Sequence, residues 1–201
     1  MPTSYDFLLA GVGGQGILLA ADVVAMVGLA QGYDVKKSEV HGMAQRGGSV
    51  TSHVRWGERV FAPLITPGEA DFLLAFERLE GLRYAEYLRS TGTLVENDYC
   101  IAPISVSSGS GCYPTPQQED QTYGSAIQGR VVVPAMTLAQ ELGNVRANNV
   151  VLLGALAALL DIPANVWTEI IAERVPARFV ALNRQAFEKG RAFVLAQAVR
   201  S

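Results

Sequence analysis

A chain of 201 residues with 49% apolar side chains is long enough to bury a substantial core, and one domain over residues 1–201 is the default expectation. The formal net charge of −3, without clustered Lys and Arg, argues against a nucleic-acid-binding protein. The two cysteines, Cys100 and Cys112, have neither the number nor the spacing for an iron–sulfur cluster or a structural zinc, so no metal site is predicted on this chain.

The hydropathy of the chain predicts a cytoplasmic protein without a membrane contact. The first six residues lead directly into an apolar run and lack the charged and cleavable parts of a secretory signal. The longest apolar run, residues 150–160, has about half of the length that crosses a bilayer. Only 17% of the residues are charged, which indicates that another subunit covers part of the surface.

The first predicted element is a strand over residues 7–10 that runs into a glycine turn, Gly11-Val12-Gly13-Gly14-Gln15-Gly16. An apolar-periodic segment from Ile17 to about Gly32 predicts a helix directly after the turn. Glycines permit unusual backbone angles and let other groups approach the main chain closely. Because a helix points unpaired N–H groups out of its N-terminus, the turn is a predicted site for a phosphate or a carboxylate.

The spacing of three of these glycines also matches the dinucleotide fingerprint, which requires an acidic residue at the end of the second strand. The predicted second strand, residues 33–38, ends in lysines and a serine, and Glu39 is only marginally placed. Three interpretations therefore stay open. The turn holds NAD or FAD, it serves only as a tight strand-to-helix connection, or it receives another anion or a cofactor of a partner.

A second glycine-rich stretch follows over residues 39–48 and is predicted to be a loop. It carries the polar side chains of His41, Gln45 and Arg46, and a guanidinium can hold a phosphate or a carboxylate through two parallel hydrogen bonds. Ligands of parallel sheets lie beyond the carboxyl ends of the strands. The two stretches follow successive strands, so we expect them to lie at the same edge of the sheet.

The rest of the chain alternates between strand-like and helix-like segments. Predicted strands cover residues 49–56, 60–65, 70–76, 92–96, 101–106 and 130–133, and residues 107–124 form an excursion with a helix from about residue 117. Predicted helices cover residues 77–88, 134–143 and 148–160, the last capped by Asn149, and two more begin at Pro163 and Pro176. The pattern predicts an α/β fold in three layers, with a mainly parallel sheet, a Rossmann-like glycine turn and a helical C-terminus from about residue 148.

No catalytic residue is predicted on this chain. There is no Ser-His-Asp arrangement, and only two histidines are present. His53 lies within a predicted strand, where a side chain satisfied by a neighbour is the expected role.

Several motifs together resemble the gamma-type domain of the 2-oxoacid:ferredoxin oxidoreductases, and within it the small (beta) subunits of the indolepyruvate ferredoxin oxidoreductases. The resemblance covers nearly the whole chain and is most specific at residues 41–48, His-Gly-Met-Ala-Gln-Arg-Gly-Gly. Glu80-Gly81-Leu82-Arg83-Tyr84 looks more like the arylpyruvate type than the 2-oxoglutarate type. Residues 107–124 fit the family pattern poorly apart from Tyr113-Pro114.

The resemblance implies a subunit of an enzyme that decarboxylates a 2-oxoacid oxidatively with coenzyme A, giving an acyl-CoA, CO2 and reduced ferredoxin. By the logic of the family, thiamine diphosphate and [4Fe–4S] clusters lie on a large partner subunit. We expect the isolated chain to be inactive, and whether it forms a homodimer stays open. The two glycine loops would complete the active-site cleft or receive coenzyme A. The candidate cofactor-binding residues are Gly11, Gly13, Gly14, Gln15, Gly16, His41, Gly42, Gln45, Arg46, Gly47 and Gly48. A free-standing Rossmann-type nucleotide-binding oxidoreductase or sensor is the alternative.

Overall fold

A computed structural model describes residues 4–41, 48–124, 127 and 129–198. The strands are β1 (Ser4–Val12), β2 (Asp34–His41), β3 (Ser49–Gly57), β4 (Ala70–Ala75), β5 (Leu88–Asn97) and β6 (Gly129–Val133). The helices are α1 (Ile17–Ala30), α2 (Arg78–Tyr84), α3 (Ile104–Ser107), α4 (Pro116–Tyr123), α5 (Ala135–Glu141), α6 (Asn148–Ala157), α7 (Ala164–Arg174) and α8 (Val180–Ala198). Three short 3-10 turns cover residues 85–87, 145–147 and 177–179.

The six strands form one sheet in the order β2-β3-β1-β4-β5-β6. Strands β4, β5 and β6 continue parallel to β1, whereas β3 is antiparallel to both of its neighbours, β1 and β2. Five strands therefore run in one direction and one runs against them. The predicted α/β fold with a mainly parallel sheet is confirmed, and the carboxyl ends of β1 and β2 do lie at the same edge.

Alternation along the buried strands divides the apolar side chains between the two faces of the sheet. Phe7, Leu9 and Leu74 belong to the larger core, which helices α1, α5, α6, α7 and α8 complete. Leu8 and Leu73 belong to a smaller core on the other face, which α2 and Tyr123 of α4 cover. Helices thus flank the sheet on both faces, as the three-layer prediction requires.

Two predicted strands are wrong. Residues 60–65 form no strand, because both edges of β3 are already paired and Pro63 lacks an N–H group for a further ladder. Residues 101–106 lead instead into helix α3, with Pro103 at its N-cap. The N–H group of Ile101, which a strand would use, donates to the Glu77 carboxylate over 2.9 Å.

Several boundaries also differ from the prediction, and three of them concern the site. Strand β2 continues to His41, so the loop begins after that residue. Helix α2 ends at Tyr84, where a 3-10 turn precedes β5. Asn149 is not an N-cap, since α6 begins at Asn148 with Ala147 at its N-cap, and Asn144 caps the preceding 3-10 turn. Pro163 and Pro176 begin helical segments as predicted, and the helix expected within residues 107–124 is α4.

The crossing of α6 and α8 permits only glycine at its two contact points. A Cβ atom on Gly154 would lie 2.0 Å from the carbonyl oxygen of Phe187, and one on Gly190 would lie 1.9 Å from that of Val151. The obstacles are backbone atoms, which cannot rotate away. The helical C-terminus therefore depends on close backbone contact between these two helices.

We predict that Gly154→Ala lowers the free energy of unfolding by about 2–3 kcal/mol, because overpacking outweighs the gain in helix propensity. Urea denaturation measures this loss. Gly111→Ala is the matched control, since the nearest atom to its Cβ would lie 3.7 Å away. The control should change stability by less than about 0.5 kcal/mol. Equal stability of the two variants would show that the helices do not pack this closely.

Candidate functional site

The glycine turn connects β1 to α1 in a conformation that other residues rarely adopt. Gly14 and Gly16 have φ angles of +104° and +81°. A Cβ on Gly16 would lie 2.4 Å from Nδ2 of Asn149, so this glycine is also required by close packing. The turn is thus both left-handed and pressed against the start of α6.

The side chain of Gln15 holds this turn in place. Its Oε1 accepts a hydrogen bond from the N–H of Val12 over 2.7 Å, and its Nε2 donates to the carbonyl of Phe76 over 2.9 Å. Both ends of the amide are therefore used within the chain. Gln15 joins the end of β1 to the end of β4.

Helix α1 begins directly after the turn with Gly16 at its N-cap, and no side chain of the described residues caps it. Its first-turn N–H groups and its positive dipole end are therefore available to an anion. Two cavities flank this point. One, of about 420 Å³, is lined by Gly13, Gly14, Gly16, Ile17, Leu18, Leu19 and Val50. The other, of about 510 Å³, is lined by Gly14, Gln15, Gly16, Tyr99, Ile101, Met136, Val145, Arg146 and Asn148.

The second glycine-rich stretch leaves the sheet beside the first. His41 pairs with Val50 across β2 and β3, and Val12 pairs with Ser49 across β1 and β3. The N–H of Gly13 donates to the carbonyl of Gly48 over 3.0 Å. Both stretches therefore begin or end at the same edge, where Gly11, Gly13, Gly14, Gln15, Gly16, Gly48 and the backbone of His41 meet. Gly42, Gln45, Arg46 and Gly47 lie outside the described residues, and their roles stay predictions.

Arg146 and Asn148 also line the larger cavity, and neither was predicted from the sequence as a site residue. Arg146 is exposed, and no carboxylate of the described residues pairs with it. Asn148 is only 8% exposed; its Nδ2 donates to the carbonyl of Val145 over 2.6 Å, but its Oδ1 has no partner among the described residues. Arg146 precedes the apolar helix α6, and Asn148 is its first residue. Only the fold brings these two residues to a glycine turn that lies more than 100 residues earlier in the chain.

Four buried carboxylates lie beneath the same edge of the sheet. Glu77, Glu80, Glu96 and Glu119 are all at most 2% exposed. Arg130 donates two hydrogen bonds to the Glu96 carboxylate, over 2.7 and 3.1 Å, and the Tyr123 hydroxyl donates a third over 2.8 Å. Burial raises the pKa of Glu96, although Arg130 and Tyr123 oppose the shift.

The segment over residues 107–124 is attached to these buried carboxylates and their neighbours by polar side chains. The Tyr113 hydroxyl donates to the Glu77 carboxylate, and burial together with Glu77 raises the pKa of Tyr113. Arg78 donates to the Glu119 carboxylate, and this hydrogen bond raises the pKa of Arg78. Residues 107–124 are therefore anchored through charge-assisted hydrogen bonds, which the sequence pattern did not reveal.

The sheet order is unfavourable for a dinucleotide site of the usual kind. In that fold the second strand lies beside the first and ends in the acidic residue that holds the ribose. Here β3 separates β1 from β2, so the end of β2 is about 9–10 Å from β1. The carboxylate of Glu39 is also engaged, by Lys37 over 2.8 Å.

His53 has the structural role that its position in a strand predicts. Its side chain is 6% exposed, and its Nδ1 accepts a hydrogen bond from the N–H of Ile65 over 3.2 Å. Burial, and then the nearby Arg55, lower the pKa of the imidazole. His53 is therefore held neutral within the smaller core.

Neither cysteine is paired. Cys100 and Cys112 are exposed free thiols.

Over the parts of the chain that the structure describes, no group of three or more His, Cys, Asp or Glu side chains is placed to hold a metal ion. In the same parts, no helix is long and apolar enough to span a membrane.

Residues 6–193 match the family described as pyruvate ferredoxin/flavodoxin oxidoreductase. The chain belongs to this family. It is 40% identical to the indolepyruvate oxidoreductase subunit IorB of Thermococcus kodakarensis over 189 residues, which cover 92% of this chain and 94% of the relative. The family membership supports the oxidoreductase-subunit interpretation and not the free-standing nucleotide-binding protein or sensor.

Solved structures agree with the fold. The gamma subunit of a keto/oxoacid ferredoxin oxidoreductase from Geobacter sulfurreducens PCA matches with a TM-score of 0.71 at 26% identity, over 96% of this chain and 99% of that one. The 2-oxoglutarate:ferredoxin oxidoreductase of Magnetococcus marinus matches with a TM-score of 0.74 at 21% identity, over 98% of this chain and 32% of that longer chain. The second likeness concerns the fold alone.

We predict that the pKa of His53 lies below its ordinary value of about 6.5 in the folded protein, as a pH titration followed by NMR will show. The unfolded chain then binds a proton at higher pH than the folded chain. The contribution of neutral His53 to the free energy of unfolding is therefore fully present above about pH 6.5. It is lost as the pH falls from there through the pKa of the folded protein. His53→Gln should remove this part of the pH dependence. A folded pKa at or above about 6.5 would contradict the buried neutral role.

Proposed function

We propose that this chain is the small subunit of an indolepyruvate ferredoxin oxidoreductase. The observation that carries the proposal is the 40% identity to an indolepyruvate oxidoreductase subunit along nearly the full length of both chains. The reaction is the oxidative decarboxylation of an arylpyruvate: coenzyme A takes the acyl group, the carboxylate leaves as CO2, and ferredoxin takes the electrons. Two electrons pass to ferredoxin and the thiol proton is released, and the thioester bond between the acyl group and the sulfur of coenzyme A forms only in the assembled complex.

The cofactors belong to a large partner subunit in this proposal. The described residues offer neither a cysteine set for an iron–sulfur cluster nor a group of acidic ligands for a metal-bound diphosphate. Thiamine diphosphate on the large subunit supplies the electron sink for decarboxylation, and [4Fe–4S] clusters there lead electrons to ferredoxin. This chain contributes binding and orientation.

The contribution of this chain is to hold the phosphates of coenzyme A at the glycine turn. The N-terminus of α1, which no described side chain caps, supplies N–H donors, and the guanidinium of Arg146, which no described carboxylate pairs, supplies a charge beside them. Tyr99, Ile101 and Met136 give the same cavity an apolar wall against which less polar parts of the ligand can pack. Arg46 is expected to add a second cation from the neighbouring loop.

The large subunit is expected to cover the rim of this edge. Leu18, Ile104 and Val145 are 40%, 87% and 44% exposed, and Leu18 and Val145 line the two cavities. Exposed aliphatic side chains around a binding site are typical of a surface that a partner buries. In the isolated chain the same surface is available for a homodimer. The exposed free thiols suit a cytoplasmic complex.

We predict that the isolated chain does not oxidise indolepyruvate with any electron acceptor, and that adding the large subunit restores activity that depends on coenzyme A. Acceptor reduction and acyl-CoA formation measure this. The large subunit without this chain is the control, and it should show little acyl-CoA formation. Turnover by the isolated chain would refute the assignment of the cofactors to the partner.

A further inference from the structure

The carboxylate of Glu80 lies in the first turn of α2 and is 2% exposed. One of its oxygens accepts a hydrogen bond from Oγ of Ser49 over 2.5 Å, and the other accepts from Nη1 of Arg83 over 2.6 Å. The Tyr84 hydroxyl lies 3.1 Å from Oγ of Ser49. Because the single hydroxyl hydrogen of Ser49 is donated to Glu80, Tyr84 is the donor to Ser49. These four residues form what we call the Glu80 clamp.

The Glu80 clamp holds the chain next to the glycine turn. Ser49 is the first residue of β3 and pairs with Val12, the last residue of β1. The preceding carbonyl, that of Gly48, accepts the hydrogen bond from the N–H of Gly13. The following residue, Val50, lines the cavity of about 420 Å³ together with Gly13 and Gly14. A displacement of Ser49 would therefore reach both the turn and the cavity wall.

Helix α2, which carries three of the four clamp residues, is capped and closely packed. Glu77 caps the helix by accepting a hydrogen bond from the N–H of Glu80 over 3.0 Å. Gly81 packs so closely on the buried network that an added Cβ would lie 2.9 Å from both Oε1 of Glu96 and the Tyr123 hydroxyl. Helix α2 is thus packed closely against this network, and Glu80 reaches from it to the side chain of Ser49 at the start of β3.

We propose that Glu80 is a positioning residue, which acts through Ser49 to set the place of Gly13 relative to the N-terminus of α1 and thereby the affinity for coenzyme A. This inference rests on the proposed function. It assigns a role to Glu80, which lines neither of the two cavities beside the glycine turn. The competing explanation is that the clamp only stabilises the fold.

The test uses the reconstituted complex of this chain with its large subunit. Glu80→Gln removes the negative charge that both donors meet and leaves one acceptor oxygen, so the two charge-assisted hydrogen bonds to Glu80 are weakened or lost. Ser49→Ala removes the contact directly, and Ser49→Thr retains the hydroxyl. Glu58→Gln is the matched control, because Glu58 is exposed and follows β3 at the opposite edge of the sheet.

We expect Glu80→Gln and Ser49→Ala each to raise the KM for coenzyme A about five- to tenfold, which is the size of effect that one lost charge-assisted hydrogen bond allows. The KM for indolepyruvate should stay within about twofold of the wild-type value, since uniform loss of cofactor binding leaves the other substrate unaffected. Ser49→Thr should restore the KM for coenzyme A, and Glu58→Gln should not change it. The double variant should raise this KM no further than either single variant.

Thermal unfolding of each variant separates positioning from stability. A lower melting temperature with an unchanged KM for coenzyme A, in Ser49→Ala as well as in Glu80→Gln, would show that the clamp is only structural and would overturn the inference. If Glu80→Gln does not fold, Ser49→Ala decides alone, because it leaves the buried charge paired with Arg83. A wild-type complex that makes no acyl-CoA would instead refute the proposed function.

Discussion

The amide of Gln15 is the interaction on which the site depends. It joins the backbone of Val12 to that of Phe76 and so fixes the end of β1 against the end of β4. The space around it is filled, because a Cβ on Gly11 would lie 2.8 Å from both Oε1 of Gln15 and Cβ of Phe76. With the turn held in this way, α1 can begin only where it does, and its N-terminus opens towards the cavities.

The buried carboxylates hold the other half of the same edge. They lie at the start of α2, near the end of β5 and in α4, and each is compensated by an arginine, a tyrosine or backbone N–H groups. Removing one partner would leave a buried charge, which costs far more than the pair contributes. The network therefore keeps α2, α4 and the end of β5 in one arrangement. We interpret it as the rigid support that the glycine turn and the Glu80 clamp require.

The sequence predicted what local pattern determines. The glycine turn, the six strands of the sheet and the helices after Pro163 and Pro176 follow from nearby residues, whose propensities and periodicity agree with the final fold. The insertion of β3 between β1 and β2 could not be predicted, because strand order depends on pairing between distant segments. The same fact explains the wrong strand at residues 60–65, which looks strand-like but follows β3, a strand whose two edges are already paired.

The site residues also divide into those that a local pattern predicts and those that depend on long-range packing. The glycines were found because their spacing is a local signal, but the contribution of Arg146 and Asn148 depends on where α6 packs. Asn149 is of a residue type that often caps helices, yet α6 begins one residue earlier. The side chain of Asn149 lies against Gly16 instead, with Nδ2 3.4 Å from the Gly16 carbonyl oxygen. For Gly42, Gln45, Arg46 and Gly47 the sequence alone carries the prediction.

We infer that this chain holds the phosphates of coenzyme A at the N-terminus of α1. A cryo-electron-microscopy structure of the reconstituted complex with coenzyme A is the decisive test. We expect phosphate oxygens within about 3 Å of the backbone N–H groups that follow Gly14, with the Arg146 guanidinium on the same phosphates. Phosphates bound wholly by the large subunit, away from this edge of the sheet, would contradict it.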